Sequence, residues 1–251
     1  MNNRMARTNK RLQRRYRKKR RLTRKDRRDQ VGGNNDVKYP PDSMKQYISA
    51  VLYINLDSRE DRKASIEKQI TIFDNKHRIS ATRVSFPENI STNVTGQVGC
   101  TKSHLEAIRR AKKEGWSNVL ILEDDVKWMN VDTAYPVFEK LIQQPYDIIM
   151  LGATYVDYDK HTYKLKKGLT SGSYIVNKSY YDTLINKLAE IGENTSITSD
   201  TKVDDIAIDV AVFGPLQRNN NWRVVVPPLM MQAPGFSNIK RHDENYHNLY
   251  R

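Results

Sequence analysis

Val119-Leu120-Ile121-Leu122-Glu123-Asp124-Asp125-Val126 is an apolar run that ends in three consecutive carboxylates. Unbroken aliphatic and β-branched residues without alternation predict a strand covered on both faces, as inside an α/β sheet. Open α/β sheets take their ligands just beyond the carboxyl ends of their strands. Three adjacent carboxylates at such an end repel one another unless a cation or a hydrogen-bond network offsets them. All-oxygen donors suit hard ions such as Mg²⁺ and Mn²⁺, and Mg²⁺ is commonly shared between one or two carboxylates and substrate phosphates. A solvated acidic turn would carry the same residues, so the flanking segments must decide.

Upstream, residues 47–56 read as a first core strand, and Asp57 or Ser58 is placed to cap a helix running to about residue 73. Residues 78–86 form a weaker strand pattern. Gly96-Gln97-Val98-Gly99 reads as a turn, and the spacing of Leu105, Ile108 and Ala111 predicts a helix from 100 to 116 that Gly115 stops. Downstream, residues 137–142, 178–191 and 203–213 read as helices. Strands are expected over 146–152, 163–169, 172–176 and 222–226, the last halted by Pro227-Pro228. Strand–helix alternation followed by shorter strands predicts an α/β nucleotide-binding half continuous with a more irregular acceptor half. Neither G-x-G-x-x-G nor G-x-x-x-x-G-K-[ST] occurs, which argues against a dinucleotide site or a P-loop.

The formal charge of +14 is concentrated at one end: residues 1–29 hold fifteen basic and two acidic side chains, leaving the rest near +1. Residues 1–30 are too charged to bury a core and are expected to be a disordered arm, with a linker over 31–45 and the folded domain over 46–251. Residues 4–28 suit non-specific binding to nucleic acid or another anionic surface. No apolar stretch of about 18 residues and no signal-peptide core occurs, so no transmembrane segment and a cytoplasmic setting are expected. The single cysteine, Cys100, rules out an internal disulfide and reads as a small buried residue rather than a nucleophile.

Several segments resemble glycosyltransferase family 25, the group of bacterial lipopolysaccharide glycosyltransferases, collagen galactosyltransferases and related proteins of large DNA viruses. Residues 51–62 resemble its opening motif, and Gly96 to Leu105 its glycine, cysteine and Ser-His segment. Residues 120–126 resemble its acidic motif, 170–176 its mid-chain strand and 232–239 its C-terminal segment. The pieces keep the family's order over roughly residues 50–240. Asn238 stands where the family usually has Asp, and the basic arm has no counterpart. The resemblance implies a GT-A type fold, a nucleotide-sugar donor such as a UDP-sugar, a glycan or hydroxylysine-type protein acceptor, and Mn²⁺ or Mg²⁺ as cofactor.

On that resemblance Asp125 is the expected metal ligand, Asp124 a second ligand or a donor contact, Glu123 a ribose or outer partner, and His242 a third ligand. Arg59 and Arg62, just past the first strand, offer guanidinium forks for a diphosphate. Asn55 can bond a base or ribose, while Ser103 and His104 sit where a helix start would favour an anion. Inverting transfer needs a proton acceptor beside the acceptor hydroxyl. Asp205 and Asp209, spaced i, i+4, are expected on one helical face, with Asp209 the first choice as base. The alternative function is an inactive transferase-like body whose arm binds nucleic acid or virion components.

Overall fold

The buried segments alternate their side chains across a single six-stranded sheet, and this produces two cores rather than one. In the computed structural model, the structure describes residues 38–85, 87, 89–236, 243–244 and 249. The expected arm, His242 and Asn238 lie outside the described residues. Strands β1 (Val51–Asn55), β2 (Lys76–Ser80) and β3 (Asn118–Glu123) run parallel in the order β2-β1-β3. The sheet continues through β8 (Ser173–Asn177) to β5 (Ile148–Met150) and β9 (Trp222–Val224). Only β8 opposes the other strands of this sheet. The class is therefore α/β with a mainly parallel sheet, as expected.

Because successive strand residues point to opposite faces, Leu52, Ile54, Val119 and Ile121 join one core, and Val51, Tyr53, Leu120 and Leu122 the other. Helix α2 (Thr92–Glu114) and helix α4 (Tyr181–Gly192) cover the first core with Leu105, Ile108, Leu184 and Leu188. Helix α1 (Glu60–Gln69) and helix α3 (Val131–Ile142) cover the second with Ile66, Ala134, Phe138 and Leu141. Met44 is fully buried in that second core, so the body begins inside the segment expected to be linker.

A side sheet of β6 (Thr154–Tyr158) and β7 (Leu165–Leu169) stands beside the main sheet, and β4 (Val126–Trp128) pairs with β10 (Met230–Gln232). Neither β6 nor β4 was expected, since both are short and only partly apolar. A six-residue helix α5 (Gly214–Asn219) leads into β9.

Two helices differ from expectation for identifiable reasons. Gly96 to Gly99 lies inside α2 instead of forming a turn. A Cβ on Gly99 would stand 2.5 Å from the Thr82 carbonyl oxygen, so this glycine serves a close approach of helix to loop. Gly115 does end α2, in the left-handed conformation at φ 72°. No single helix spans 203–213: a short turn at Val203–Asp205 is followed by extended Ala207 and a π-helical segment at Ile208–Phe213. The break separates Asp205 from Asp209 and removes their common face.

Candidate active site

The ends of β1, β2 and β3 reach the same edge of the sheet, and antiparallel β8 begins there. The Glu123 N–H donates to the Gly172 carbonyl at 2.8 Å, which ties the acidic motif to the segment entering β8. Beyond this edge opens a cleft of about 1110 Å³. Its walls come from loop 81–85, the first turns of α2, the acidic motif, and residues Tyr155, Thr170, Ser171 and Asp209.

Within the motif each carboxylate has a different environment. Asp124 is 8 % exposed; its Oδ2 accepts from Asn55 Nδ2 at 2.8 Å and its Oδ1 from Arg62 Nη1 at 2.9 Å. The same Arg62 nitrogen donates to Asp125 Oδ2 at 3.0 Å. Asp125 Oδ1 is buried and has no hydrogen bond among the described residues. Burial, with the charges of Glu123 and Asp124 added, pushes the Asp125 carboxyl up to about 7 against the pull of Arg62. Burial also works to raise Glu123. The His104 ring 3.5 Å away, then a 2.6 Å hydrogen bond from Ser171 Oγ, then Arg62 outweigh it and hold this carboxyl below its usual range. Glu123 is thus the member that stays ionised and Asp125 the one that takes up a proton.

Asp209 lines the same cleft and lies near enough to feel the charge of Glu123. Its Oδ2 accepts from the Thr170 N–H at 3.1 Å, and burial raises its carboxyl above the ordinary value despite that bond. Thr170 has φ 96°, an outlying conformation for a β-branched residue. Such conformations cost about 1–3 kcal/mol and concentrate at functional sites.

The structure brings Asn55, Arg62, Glu123, Asp124, Asp125 and Asp209 together. Asn55 does not line the cleft as a free contact: it also donates to the Arg59 carbonyl at 3.1 Å and accepts from Arg78 Nε at 3.0 Å. Arg59 makes a two-pronged bond with Asp61, at 2.9 and 2.8 Å. Ser103 is fully buried, accepting from the Thr82 N–H at 2.7 Å and donating to the Gly99 carbonyl at 2.8 Å, so its hydroxyl holds loop 81–85 against α2. Asp205 is exposed and is not among the residues lining the cleft. Thr170, Ser171, Tyr155 and Gln232 also line it and were not foreseen as site residues. The first two lie at the head of the 170–176 segment already noted for its resemblance, where a pair of small polar residues precedes an apolar strand.

The chain matches no family model and no curated protein. Among solved structures it is similar to a glycosyltransferase involved in the glycosylation of the major capsid of PBCV-1, at 14 % identity and a TM-score of 0.41, over 71 % of this chain and 81 % of that one. A second is mannose-1-phosphate geranyltransferase from Thermus thermophilus, at 10 % identity and TM-score 0.38, covering 71 % of this chain and 73 % of that one. A third is A197 from STIV, at 10 % identity and TM-score 0.39, covering 80 % of this chain and 96 % of that one. At TM-scores below 0.5 these likenesses carry no argument about activity, and the functional reading rests on the site itself. No helix among the described residues is long and apolar enough to cross a membrane.

Proposed function

We propose that this protein is a glycosyltransferase that moves a sugar from a nucleotide-sugar, a UDP-sugar in the simplest case, to a glycan or hydroxylated protein side chain. The observation that carries the reading is Asp125: a carboxylate with one buried oxygen that has no hydrogen bond among the described residues, next to Glu123 and Asp124 at the mouth of an α/β sheet. A site of this kind fits a hard divalent cation, with Asp125 and Asp124 as the residues that would hold it and His242 as a third candidate. Mn²⁺ or Mg²⁺ there supplies neutralising charge for a departing diphosphate.

The chain's own groups account for the rest. Arg62, poised on the same carboxylates, is a guanidinium within reach of diphosphate oxygens entering the cleft. Asn55 and Arg78 hold Asp124 and the end of β1 in register for the nucleotide. Asp209, with its carboxyl raised by burial, accepts the proton of the acceptor hydroxyl. The acceptor oxygen bonds the anomeric carbon as the bond from that carbon to the diphosphate breaks, and the nucleotide leaves as the diphosphate. Attack from the side opposite the leaving group inverts the anomeric centre.

The test is thermal unfolding of the full chain with UDP, with and without Mn²⁺, followed by a UDP-sugar turnover screen. A ligand that binds only the native state raises the unfolding temperature. The expected result is a Mn²⁺-dependent upward shift that Asp125→Ala loses. Absence of any shift with millimolar nucleotide and metal rejects the reading.

A further inference from the structure

On the wall of the cleft next to the acidic motif, three donors of a different chemical character converge. Cys100 and His104 are one turn apart on α2, the i, i+4 spacing that sets two side chains side by side on a helix. Glu123, at the end of β3, meets them from the sheet. One donor atom from each of the three lies within 4.8 Å of the others. His104 is fully buried, yet its Nε2 has no hydrogen bond among the described residues. That nitrogen stands 3.5 Å from Glu123 Oε1. Ligands about 2.0–2.3 Å from a tetrahedral Zn²⁺ are themselves roughly 3.3–3.8 Å apart, so this pair already has the separation of two zinc ligands.

We propose that Cys100, His104 and Glu123 form a three-ligand site for a Zn²⁺-class cation, with its fourth position open to the cleft. The inference stands apart from the transfer reading, because the donors are a thiol, an imidazole and a carboxylate rather than oxygens alone. Sulfur and nitrogen donors select Zn²⁺ over Mg²⁺. The supports around the ligands are those a zinc site uses. His104 Nδ1 is 2.7 Å from the Tyr174 hydroxyl, which leaves Nε2 as the ligating nitrogen when Nδ1 carries the proton. Ser171 Oγ donates to the same oxygen, Glu123 Oε1, at 2.6 Å and so fixes the carboxylate that faces His104. Burial, then the charges of Glu123 and Asp209, push the Cys100 thiol well up in the metal-free protein. The same negative surroundings favour a cation, and zinc binding displaces the thiol proton to solvent, leaving a thiolate ligand.

The test uses chelator-treated full-length protein without nucleotide or sugar, and titrates it with Zn²⁺ by calorimetry and with Co²⁺ by absorption. Cys100 is the only cysteine of the chain, so a thiolate-to-cobalt charge-transfer band in the near ultraviolet can come from no other residue. The expected result is about one Zn²⁺ per chain, that cobalt band, and affinity reduced more than about 100-fold in Cys100→Ser and about 10-fold in Tyr174→Phe. Asp125→Asn is expected to keep the zinc and the band. A wild-type protein with no cobalt–thiolate band overturns the proposal whether or not Cys100→Ser folds. So does zinc affinity that survives Cys100→Ser but is lost in Asp125→Asn, which would give the ion to the acidic motif. Neither titration contains nucleotide, so failure of this site and failure of the transfer reading are told apart.

Discussion

The Arg62 guanidinium donates to Asp125 Oδ2 across 3.0 Å, while the other oxygen of that carboxylate is buried without a hydrogen bond among the described residues. One nitrogen of Arg62 therefore offsets Asp124 and one oxygen of Asp125, and leaves Asp125 Oδ1 without a hydrogen bond among the described residues. This half-compensated arrangement controls how the site responds to pH, to metal and to substitution.

The first response is to pH. An ordinary aspartate titrates near 4, whereas Asp125 in the folded protein is pushed up to about 7. Between these values the native state holds a proton that the unfolded chain releases, so this group's contribution to stability falls as pH rises from about 4 to about 7. Asp125→Asn removes the effect. In metal-free buffer the variant should melt above the wild type at pH 8, with the gap closing towards pH 4. Calorimetric scans across the range check this, and a gap that does not change with pH contradicts it.

Arg62 pairs with both Asp124 and Asp125, at 2.9 and 3.0 Å, with only 16 % of its side chain exposed. Removing one partner of a buried ion pair costs about 3–5 kcal/mol when the other is left uncompensated. Arg62→Ala should lower stability by about 2–3 kcal/mol in urea unfolding without metal, less than that range because the pair is not fully dry. Added Mn²⁺ should recover part of the loss, and an equal loss with and without Mn²⁺ would argue that no cation enters the motif.

Gly99 packs against the Thr82 backbone so closely that alanine there must move loop 81–85, a wall of the cleft. Overpacking of this kind costs about 1–3 kcal/mol. Gly99→Ala should lower the urea midpoint and weaken UDP binding together. Wild-type nucleotide affinity in a clearly destabilised variant would separate the loop from donor binding.

Asp209 and Asp205 are distinguished by a pair of conservative variants. Loss of a general base typically costs about 10²–10⁴ in rate. Asp209→Asn should lower kcat by that order while leaving the UDP-induced melting shift intact, and Asp205→Asn should turn over like the wild type. A reversed pattern would move the base to the exposed turn at Val203–Asp205.

Much of the framework was readable along the chain because it depends on neighbours in sequence. The apolar run into Glu123 is β3, Gly115 terminates α2, and the start of β8 follows its small polar residues. Where reading failed, a distant contact had overruled a local signal. Gly96 to Gly99 reads as a turn until the Thr82 carbonyl, seventeen residues upstream of Gly99, claims the space beside the helix. Asp205 and Asp209 share a face only in a continuous helix, and the extended Ala207 ends that continuity.

Period, composition and motif spacing determined by themselves that this chain builds an α/β sheet with carboxylates at one end, since strand burial and glycine stops are local properties of the backbone. Tertiary structure alone decided what each carboxylate does. Asn55 is 69 residues from Asp124 and Arg62 is 62 residues from it, and the direction of β8 delivers Ser171 to Glu123. Charge and protonation depend on the atoms within a few ångströms, and those atoms come from chain segments that meet only when the sheet has formed.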